Sequence, residues 1–238
     1  MPKPKTVSDH SSRVCVVGAG SSGLAAARNF REVGLGVDVL EACTDLGGNW
    51  NYELSVSRVY RSTHAISSKA GTEFPDYPMP EAFPDYPHHK EMLAYLRGYA
   101  KHFSLTDCIE FDRKIDKIEP SELRDPSGGH GWTVHLKNGE IRSYGAIAIA
   151  NGHNNQPVVP DYPGYFTGES MHSADYKVSE TLIGKRVLVV GGGNSGCDIV
   201  VEAAHKATAI FHSTRRGYHY IPKYLWGKPS DTVAEFMH

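Results

Sequence analysis

The chain has 238 residues, of which 40% are hydrophobic and 22% are charged, so it can bury a substantial core in one or two domains. Its formal net charge of -2 gives no electrostatic reason to expect binding to a nucleic acid or an anionic membrane. No apolar stretch approaches the roughly 20 residues that cross a bilayer, and the polar start of the chain predicts a flexible tail over residues 1–12. The four cysteines lack C-x-x-C spacing, which favours a reducing, cytoplasmic location.

The first elements along the chain predict a strand–helix–strand unit. An apolar strand at 14–17 leads into a glycine-rich turn at 18–23 and a helix that ends before Gly34. A second strand follows at 37–40 and ends on Glu41. Because a helix separates the two strands, we expect them to pair in parallel.

The middle of the chain predicts a loop, a helix and an antiparallel region. The density of proline and aromatic residues at 71–87 indicates a surface loop. Apolar spacing predicts a helix over 90–102, and strands are expected at 111–118, 132–136 and 144–150. The first two of these strands flank a DPSGG turn at 125–129.

A second strand–helix–strand pattern begins at residue 186. It comprises a strand at 186–190, a glycine turn at 191–196, a helix to Lys206 and a strand at 209–212. Typical domains have about 100–150 residues, so this second domain is expected to be incomplete and the chain to be an N-terminal portion. The predicted fold is α/β, with two Rossmann-like dinucleotide-binding domains at 13–155 and 156–238.

The first glycine turn, GAGSSG, fits the dinucleotide-binding pattern. Gly18 makes the tight turn, Gly20 admits the pyrophosphate, and Gly23 lets the helix pack against the strand; Ser22 lies between them. The start of the helix offers N–H groups to phosphates. Glu41, 23 residues after Gly18, is expected to bind ribose hydroxyls and to repel a 2′-phosphate, which favours FAD or NAD.

The second glycine turn predicts a different nucleotide. GGGNSG contains Gly191, Gly193 and Gly196, with Asn194 and Ser195 between them. The next strand runs into Arg215 and Arg216, which are expected to pair with a 2′-phosphate and so to select NADPH, although a solvated basic turn is the alternative. FAD and NADPH in one chain are typical of a flavin enzyme.

Further motifs resemble the flavin-containing monooxygenases. The segment FTGESMHSADY is similar to that family's identifying motif and supplies Phe166, Gly168, His172 and Tyr176. GGNW resembles a flavin-contacting loop, and the strand over 111–120 resembles one that meets the adenine of FAD. These likenesses imply cofactor contacts at Gly48, Trp50 and Ile115.

The resemblance implies that NADPH reduces the flavin and that dioxygen then forms a C4a-hydroperoxide. That species would oxygenate a soft nitrogen or sulfur atom of a small molecule. Baeyer–Villiger oxidation of a ketone stays open, although that motif usually ends in Trp where this chain has Tyr176. A non-catalytic flavin-binding fragment is a further alternative, because family members are roughly twice as long. A disulfide reductase is disfavoured because the cysteine pair it needs is missing.

Several roles stay unassigned at this point. His172 is expected either to link the two domains or, as we favour, to stabilise the connector. No catalytic residue is assigned, no metal site is expected, and the sequence leaves open whether the chain forms a homodimer. In the family an Asn beside the flavin occupies the position that Ile66 has here. Isoleucine cannot donate a hydrogen bond, so we expect either that Ser62, Thr63 or His64 takes over this role or that more hydrogen peroxide is released.

Overall fold

A six-stranded sheet forms the first of two units in the structure, which is a computed structural model describing residues 7–124 and 130–235. The strands of this sheet are β1 (Val7–Val17), β2 (Gly36–Leu40), β3 (Ile109–Glu110), β4 (Ile115–Arg124), β5 (His130–Leu136) and β6 (Ile141–Ile149). Their order is β3-β2-β1-β6-β5-β4. Strands β3, β2, β1 and β6 are parallel, whereas β6, β5 and β4 pair antiparallel. The predicted α/β class and the parallel pairing of the first two strands are confirmed.

Two helices belong to this first unit, which comprises residues 7–57 and 90–155 of the described chain. Helix α1 (Ser21–Glu32) connects β1 to β2 and buries Gly23, Leu24 and Ala27. Helix α3 (His89–His102) follows the proline-rich loop, whose short helix α2 (Lys69–Thr72) belongs to the second unit. The core on one side of the sheet contains Cys15, Leu40, Val134, Leu136 and Tyr144. The predicted DPSGG turn lies outside the described residues.

The expected tail over residues 1–12 is wrong for residues 7–12. Strand β1 begins at Val7 and pairs in parallel with β6, from Val7 opposite Ile141 onward. Two polar side chains of β1 have partners. The His10 Nδ1 lies 2.7 Å from an Asp38 oxygen, and the Arg13 Nε donates to the same carboxylate at 2.8 Å. Backbone pairing and these contacts replace the apolar side chains whose absence suggested a loose segment.

The second unit comprises residues 58–89 and 156–235 of the described chain. Its elements are β7 (Arg186–Val190), α4 (Asn194–Lys206), β8 (Ala209–Ser213), β9 (Tyr224–Leu225), β10 (Lys228–Pro229) and α5 (Ser230–Glu235). Strands β7 and β8 are parallel, as the repeated pattern predicts. The predicted division at residue 155 did not anticipate that residues 58–89 pack within this unit.

Candidate nucleotide-binding sites

The first glycine turn connects β1 to α1 and leaves the start of the helix without a side-chain cap. Gly18 has a φ of 98° and its N–H donates to the carbonyl of Leu40 at 2.9 Å. Gly20 is the N-cap of α1, makes no side-chain cap hydrogen bond, and no acidic residue follows in the first turn. The N–H groups that begin a helix need acceptors, and an anionic group placed here would supply them.

Three glycines of this turn differ in how much space surrounds them. A β-carbon at Gly18 would lie 2.7 Å from the Ala150 oxygen, and one at Gly23 would lie 1.9 Å from the Gly18 oxygen. At Gly20 the nearest atom would be the Cα of Gly48, at 3.8 Å. Close backbone packing therefore explains why residues 18 and 23 are glycines, but it does not explain the glycine at position 20. An open cradle at Gly20 fits the close approach of a pyrophosphate.

Glu41 is held beside this turn by its backbone and by its side chain. Its N–H donates to the Glu110 carbonyl at 2.9 Å, and its own carbonyl accepts from the Arg113 N–H at 2.8 Å. The carboxylate accepts hydrogen bonds from the N–H groups of Ala19 at 2.7 Å and Cys43 at 2.8 Å. Each carboxylate oxygen can accept a further hydrogen bond, so Glu41 can still receive ribose hydroxyls.

The other predicted flavin contacts lie in the same unit. Gly48 lies against the turn, since a β-carbon there would be 3.2 Å from the Gly20 Cα. Trp50 is half-buried and ends a short 3-10 helix that begins at Gly48. Ile115 begins β4 two residues after Arg113 and packs against the core. The structure thus places Gly48 beside the glycine turn. Ile115 follows in the chain two residues after Arg113, whose N–H donates to the Glu41 carbonyl.

The second glycine turn repeats the geometry of the first. Gly191 has a φ of 112°, and its N–H donates to the Ser213 carbonyl at 2.9 Å. A β-carbon at Gly196 would lie 2.3 Å from the Gly191 oxygen, whereas one at Gly193 would meet nothing within 4 Å. Gly193 is the N-cap of α4 and, like Gly20, makes no side-chain cap hydrogen bond. Asn194 and Ser195 are the first two residues of that helix.

The hydrogen bonds of the two turns align Thr214 with Glu41. In the first turn the Gly18 N–H donates to Leu40, the residue before Glu41; in the second the acceptor is Ser213, the residue before Thr214. Thr214 also lies 23 residues after Gly191, the spacing that separates Glu41 from Gly18. Arg215 and Arg216 therefore stand one and two residues beyond the position that Glu41 occupies. No role was predicted for Thr214 from the sequence, although counting 23 residues from the first glycine identifies it.

The four residues of the family motif have different surroundings. Phe166 is 72% exposed and its ring lies over Gly168, where a β-carbon would meet it at 2.4 Å. The His172 Nδ1 accepts a hydrogen bond from the Ala174 N–H at 3.0 Å, which stabilises a local turn. Tyr176 is 2% exposed and its hydroxyl donates to a carboxylate of α4. The contact at His172 supports the interpretation that it stabilises the connector.

The segment that carries Ile66 lies in the second unit, and Ile66 is 64% exposed. Of the three residues that could replace the family Asn, two have backbone contacts. The Thr63 hydroxyl accepts from the Tyr60 N–H at 2.9 Å, and the His64 Nδ1 donates to the Ser62 carbonyl at 2.6 Å. These contacts fix the turn at 60–64 and leave the replacement of the family Asn a prediction.

Two further properties concern residues 7–124 and 130–235 alone. Within these ranges, no group of three or more His, Cys, Asp or Glu side chains could hold a metal ion. None of the helices described there combines the length and the apolar character that spanning a membrane requires.

Comparison with known proteins assigns the chain to a family. Residues 11–236 match the model of the flavin-binding monooxygenase-like family, and the chain belongs to that family. It is 36% identical to flavin-containing monooxygenase 3 of Rattus norvegicus over 235 residues, which cover 93% of this chain but 44% of the relative. The chain thus spans less than half the length of that curated relative. The family predicted from the motifs is confirmed.

Solved structures agree with this assignment. A flavin-containing monooxygenase from Stenotrophomonas maltophilia superposes with a TM-score of 0.80 at 28% identity, covering 95% of this chain and 63% of that one. An oxidized steroid monooxygenase bound to NADP gives a TM-score of 0.69 at 29% identity, covering 94% of this chain and 42% of that one. The chain therefore has the fold of these flavin monooxygenases over most of its length.

Proposed function

We propose that the chain carries the FAD and NADPH sites of a monooxygenase that oxygenates soft nitrogen or sulfur atoms of small molecules. The observation that carries the proposal is a pair of glycine turns with different residues at the ribose position. Each turn has a middle glycine, Gly20 or Gly193, that packing does not require. One turn is followed by Glu41 and the other by Thr214.

FAD is assigned to the first turn. The cradle at Gly20 and the uncapped start of α1 suit a pyrophosphate, and the Glu41 carboxylate suits ribose hydroxyls while repelling a 2′-phosphate. Gly48, Trp50 and Ile115 are the remaining proposed contacts. When bound, the flavin accepts hydride and supplies the reaction with dioxygen, whereas the chain binds and orients it.

NADPH is assigned to the second turn. Thr214 carries no charge at the position of Glu41, so a 2′-phosphate meets no repulsion there, and its hydroxyl can donate a hydrogen bond to that phosphate. Arg215 and Arg216 follow directly and supply positive charge. The steroid monooxygenase with NADP bound supports a nicotinamide nucleotide in this fold.

Reciprocal binding experiments on alanine variants test the two assignments. We expect Gly20→Ala to weaken FAD binding at least tenfold and to leave NADP⁺ binding unchanged, because a methyl group there occupies the phosphate approach. We expect the reverse for Gly193→Ala. Flavin fluorescence quenching measures the first affinity and isothermal titration calorimetry the second. Equal losses of both ligands in either variant would contradict separate sites.

The preference for a 2′-phosphate is tested at the two arginines. Arg215→Ala with Arg216→Ala is expected to weaken NADP⁺ binding about tenfold or more and to leave NAD⁺ binding unchanged, because only NADP⁺ carries that phosphate. Lys206→Ala, at the end of α4, removes one positive charge elsewhere in the second unit and controls for a general effect of lost charge. Unchanged NADP⁺ affinity in the double variant would show that the phosphate lies elsewhere.

The substrate class is tested with two probe molecules. A protein that contains this chain and has the length of its relatives, supplied with FAD, NADPH and dioxygen, is expected to convert methyl phenyl sulfide to its sulfoxide faster than it converts cyclohexanone to a lactone. These 238 residues alone are expected to be inactive. Lactone as the main product would favour the Baeyer–Villiger alternative. Tight binding of both nucleotides without either product would identify the chain as a non-catalytic flavin-binding piece.

A further inference from the structure

Two buried tyrosines reach the same face of helix α4. The Tyr60 hydroxyl donates to Asp198, and the Tyr176 hydroxyl donates to Glu202. The two acids are four residues apart, so they lie one helical turn from each other on one face. The tyrosine rings pack edge to face, with centroids 5.5 Å apart, and are only 4% and 2% exposed. The two tyrosines therefore form one cluster beside α4.

Further contacts tie together the chain segments that carry these tyrosines. The Arg61 N–H donates to the Lys177 carbonyl at 2.9 Å, and the Lys177 Nζ donates to the Val59 carbonyl at 3.0 Å. Arg61 also forms an ion pair with Glu180. Two hydrogen bonds and one ion pair thus hold residues 59–61 and 176–180 together, so the segments that carry Tyr60 and Tyr176 are fixed to each other.

Helix α4 has less sheet beneath it than α1 has. In the part of the chain that the structure describes, the sheet of the second unit that pairs β7 with β8 has two strands, whereas the sheet that contains β1 has six. Among its described residues, α4 buries Ile199 and Ala203, which belong to the same core cluster as the two tyrosines. The tyrosine cluster therefore packs in the same core as the buried face of α4 and adds contacts to those that β7 and β8 make with the helix.

The tyrosines act as hydrogen-bond donors across the ordinary pH range. Burial raises the pKa of the Tyr60 hydroxyl, and the hydrogen bond to Asp198 raises it further. Burial and the Glu202 carboxylate raise the pKa of Tyr176 in the same way. Each phenol therefore keeps its proton and can donate a hydrogen bond to the carboxyl group beside it.

We propose that Tyr60 is a positioning residue for the nicotinamide nucleotide: through Asp198 it fixes the first turns of α4, whose N–H groups face the phosphates. Asp198 is the fifth residue of α4, one turn from the glycine turn, and Glu202 is one turn further along. Tyr176 therefore supports α4 one turn further along, whereas Tyr60 supports it nearer the end that meets the ligand. This inference rests on the proposed NADPH site.

Nucleotide binding to Tyr60→Phe tests the proposal. The variant keeps the buried ring and loses only the hydroxyl, so NADP⁺ affinity is expected to fall about fivefold while FAD affinity stays unchanged. Tyr165→Phe is the matched control, because Tyr165 lies in the same unit and is 92% exposed. A loss of folding would weaken both nucleotides, whereas a positioning role weakens NADP⁺ alone.

A double-mutant cycle identifies the bond responsible. Asp198→Asn retains an acceptor oxygen and is expected to bind NADP⁺ within twofold of the wild type, whereas Asp198→Ala is expected to match Tyr60→Phe. Tyr60→Phe added to Asp198→Ala should weaken binding no further, because the hydrogen bond is already lost. Fully additive losses would show that the two residues act separately and would overturn the proposal.

Hydrogen exchange supplies a measurement made without nucleotide. The amides of residues 194–198 are expected to exchange faster in Tyr60→Phe than in the wild type, and those of residues 21–25 in α1 to exchange at the wild-type rate. Faster exchange with unchanged NADP⁺ affinity would overturn the positioning role. If the wild type binds no NADP⁺, the proposed NADPH site fails and the inference fails with it; if all variants bind equally well, the inference alone fails.

Discussion

At Gly23 a β-carbon would lie 1.9 Å from the Gly18 oxygen, whereas at Gly20 its nearest neighbour would be 3.8 Å away. The same contrast separates Gly196 from Gly193 in the second turn. Four glycines that look alike in sequence thus divide into two that packing requires and two that it does not. At the second pair, the nucleotides proposed to bind there would supply the reason for glycine.

This division predicts different stabilities for two alanine variants. Gly23→Ala forces the start of α1 away from β1 and is expected to lower the free energy of unfolding by about 2 kcal/mol or more. Gly20→Ala is expected to change it by about 0.5 kcal/mol or less, because the N-cap has extended backbone angles and open space. Urea unfolding of both variants measures the difference. Similar losses in the two variants would contradict the distinction.

At Ile66 we expect a substitution to change how tightly NADPH consumption is coupled to oxygenation. If the missing amide lets hydrogen peroxide escape, Ile66→Asn is expected to lower the peroxide released per NADPH consumed, because an amide can donate where isoleucine cannot. Ile66→Leu, which keeps an apolar side chain, is the control. A peroxide assay beside NADPH consumption measures the ratio. An unchanged ratio in Ile66→Asn would indicate that another group has the role.

At the scale of elements, the ends of β2 and β8 correspond. Each strand ends on a residue whose carbonyl accepts the first-glycine N–H, and the next residue is Glu41 in one case and Thr214 in the other. Thr214→Glu is therefore expected to weaken NADP⁺ binding about tenfold or more and to leave NAD⁺ binding similar or stronger, through repulsion of the 2′-phosphate. Thr214→Gln controls for size. Equal NADP⁺ affinity for the Glu and Gln variants would argue against this correspondence.

Strands β3 and β6 are connected by a partly buried ion pair. Arg142 is 5% exposed, and its two terminal nitrogens donate to Glu110 at 2.6 and 2.8 Å. The hydrogen bond from Arg142 holds the pKa of Glu110 below its ordinary value, against the opposing effect of burial. Since the folded pKa is lower than the unfolded pKa, this stabilisation is complete above the unfolded value and is lost as the pH falls through the folded one.

The pair therefore predicts an acid-dependent stability difference. Glu110→Gln is expected to lower the free energy of unfolding at pH 7 by about 1–2 kcal/mol, a range reduced because the Glu110 side chain is 34% exposed. The difference from the wild type should shrink as the pH falls below about 4, where protonation of the wild-type carboxylate begins to remove the same interaction. Glu53→Gln, at an exposed residue, is the control. A difference that stays constant down to pH 3 would contradict this origin.

Helices and strands can be predicted from the sequence where the spacing of apolar residues is regular and where glycines mark the turns. The strand at 186–190 was predicted with the bounds that the structure shows, and the helices after both glycine turns were predicted within a few residues. The start of β1 could not be predicted in this way, because residues 7–12 are mostly polar and become a strand through pairing with β6. Local patterns do not contain such long-range partners.

The candidate sites show a similar limit. Glycine spacing identified both turns, and the family motif identified Tyr176, but nothing in the sequence indicated that its hydroxyl donates to Glu202. No role was predicted for Tyr60 from the sequence. Its partner Asp198 is 138 residues away, a separation that no local pattern bridges.

At the scale of the whole molecule, the chain divides into two units, and each contains one glycine turn. Residues 58–89 interrupt the first unit in sequence and pack within the second, where Tyr60 contacts α4. The two proposed nucleotide sites therefore lie on separate units that the chain connects more than once. This organisation suits the central claim that one chain binds two different nucleotides.

The most direct test is the visible absorption spectrum of the purified chain with added FAD, followed by anaerobic addition of NADPH or NADH. We expect that flavin bands persist after gel filtration and that NADPH bleaches them faster than NADH, because the second turn is proposed to favour the 2′-phosphate. A colourless protein after gel filtration would contradict the FAD site. Equal bleaching by the two nucleotides would contradict the assignment of NADPH to the turn at Gly191.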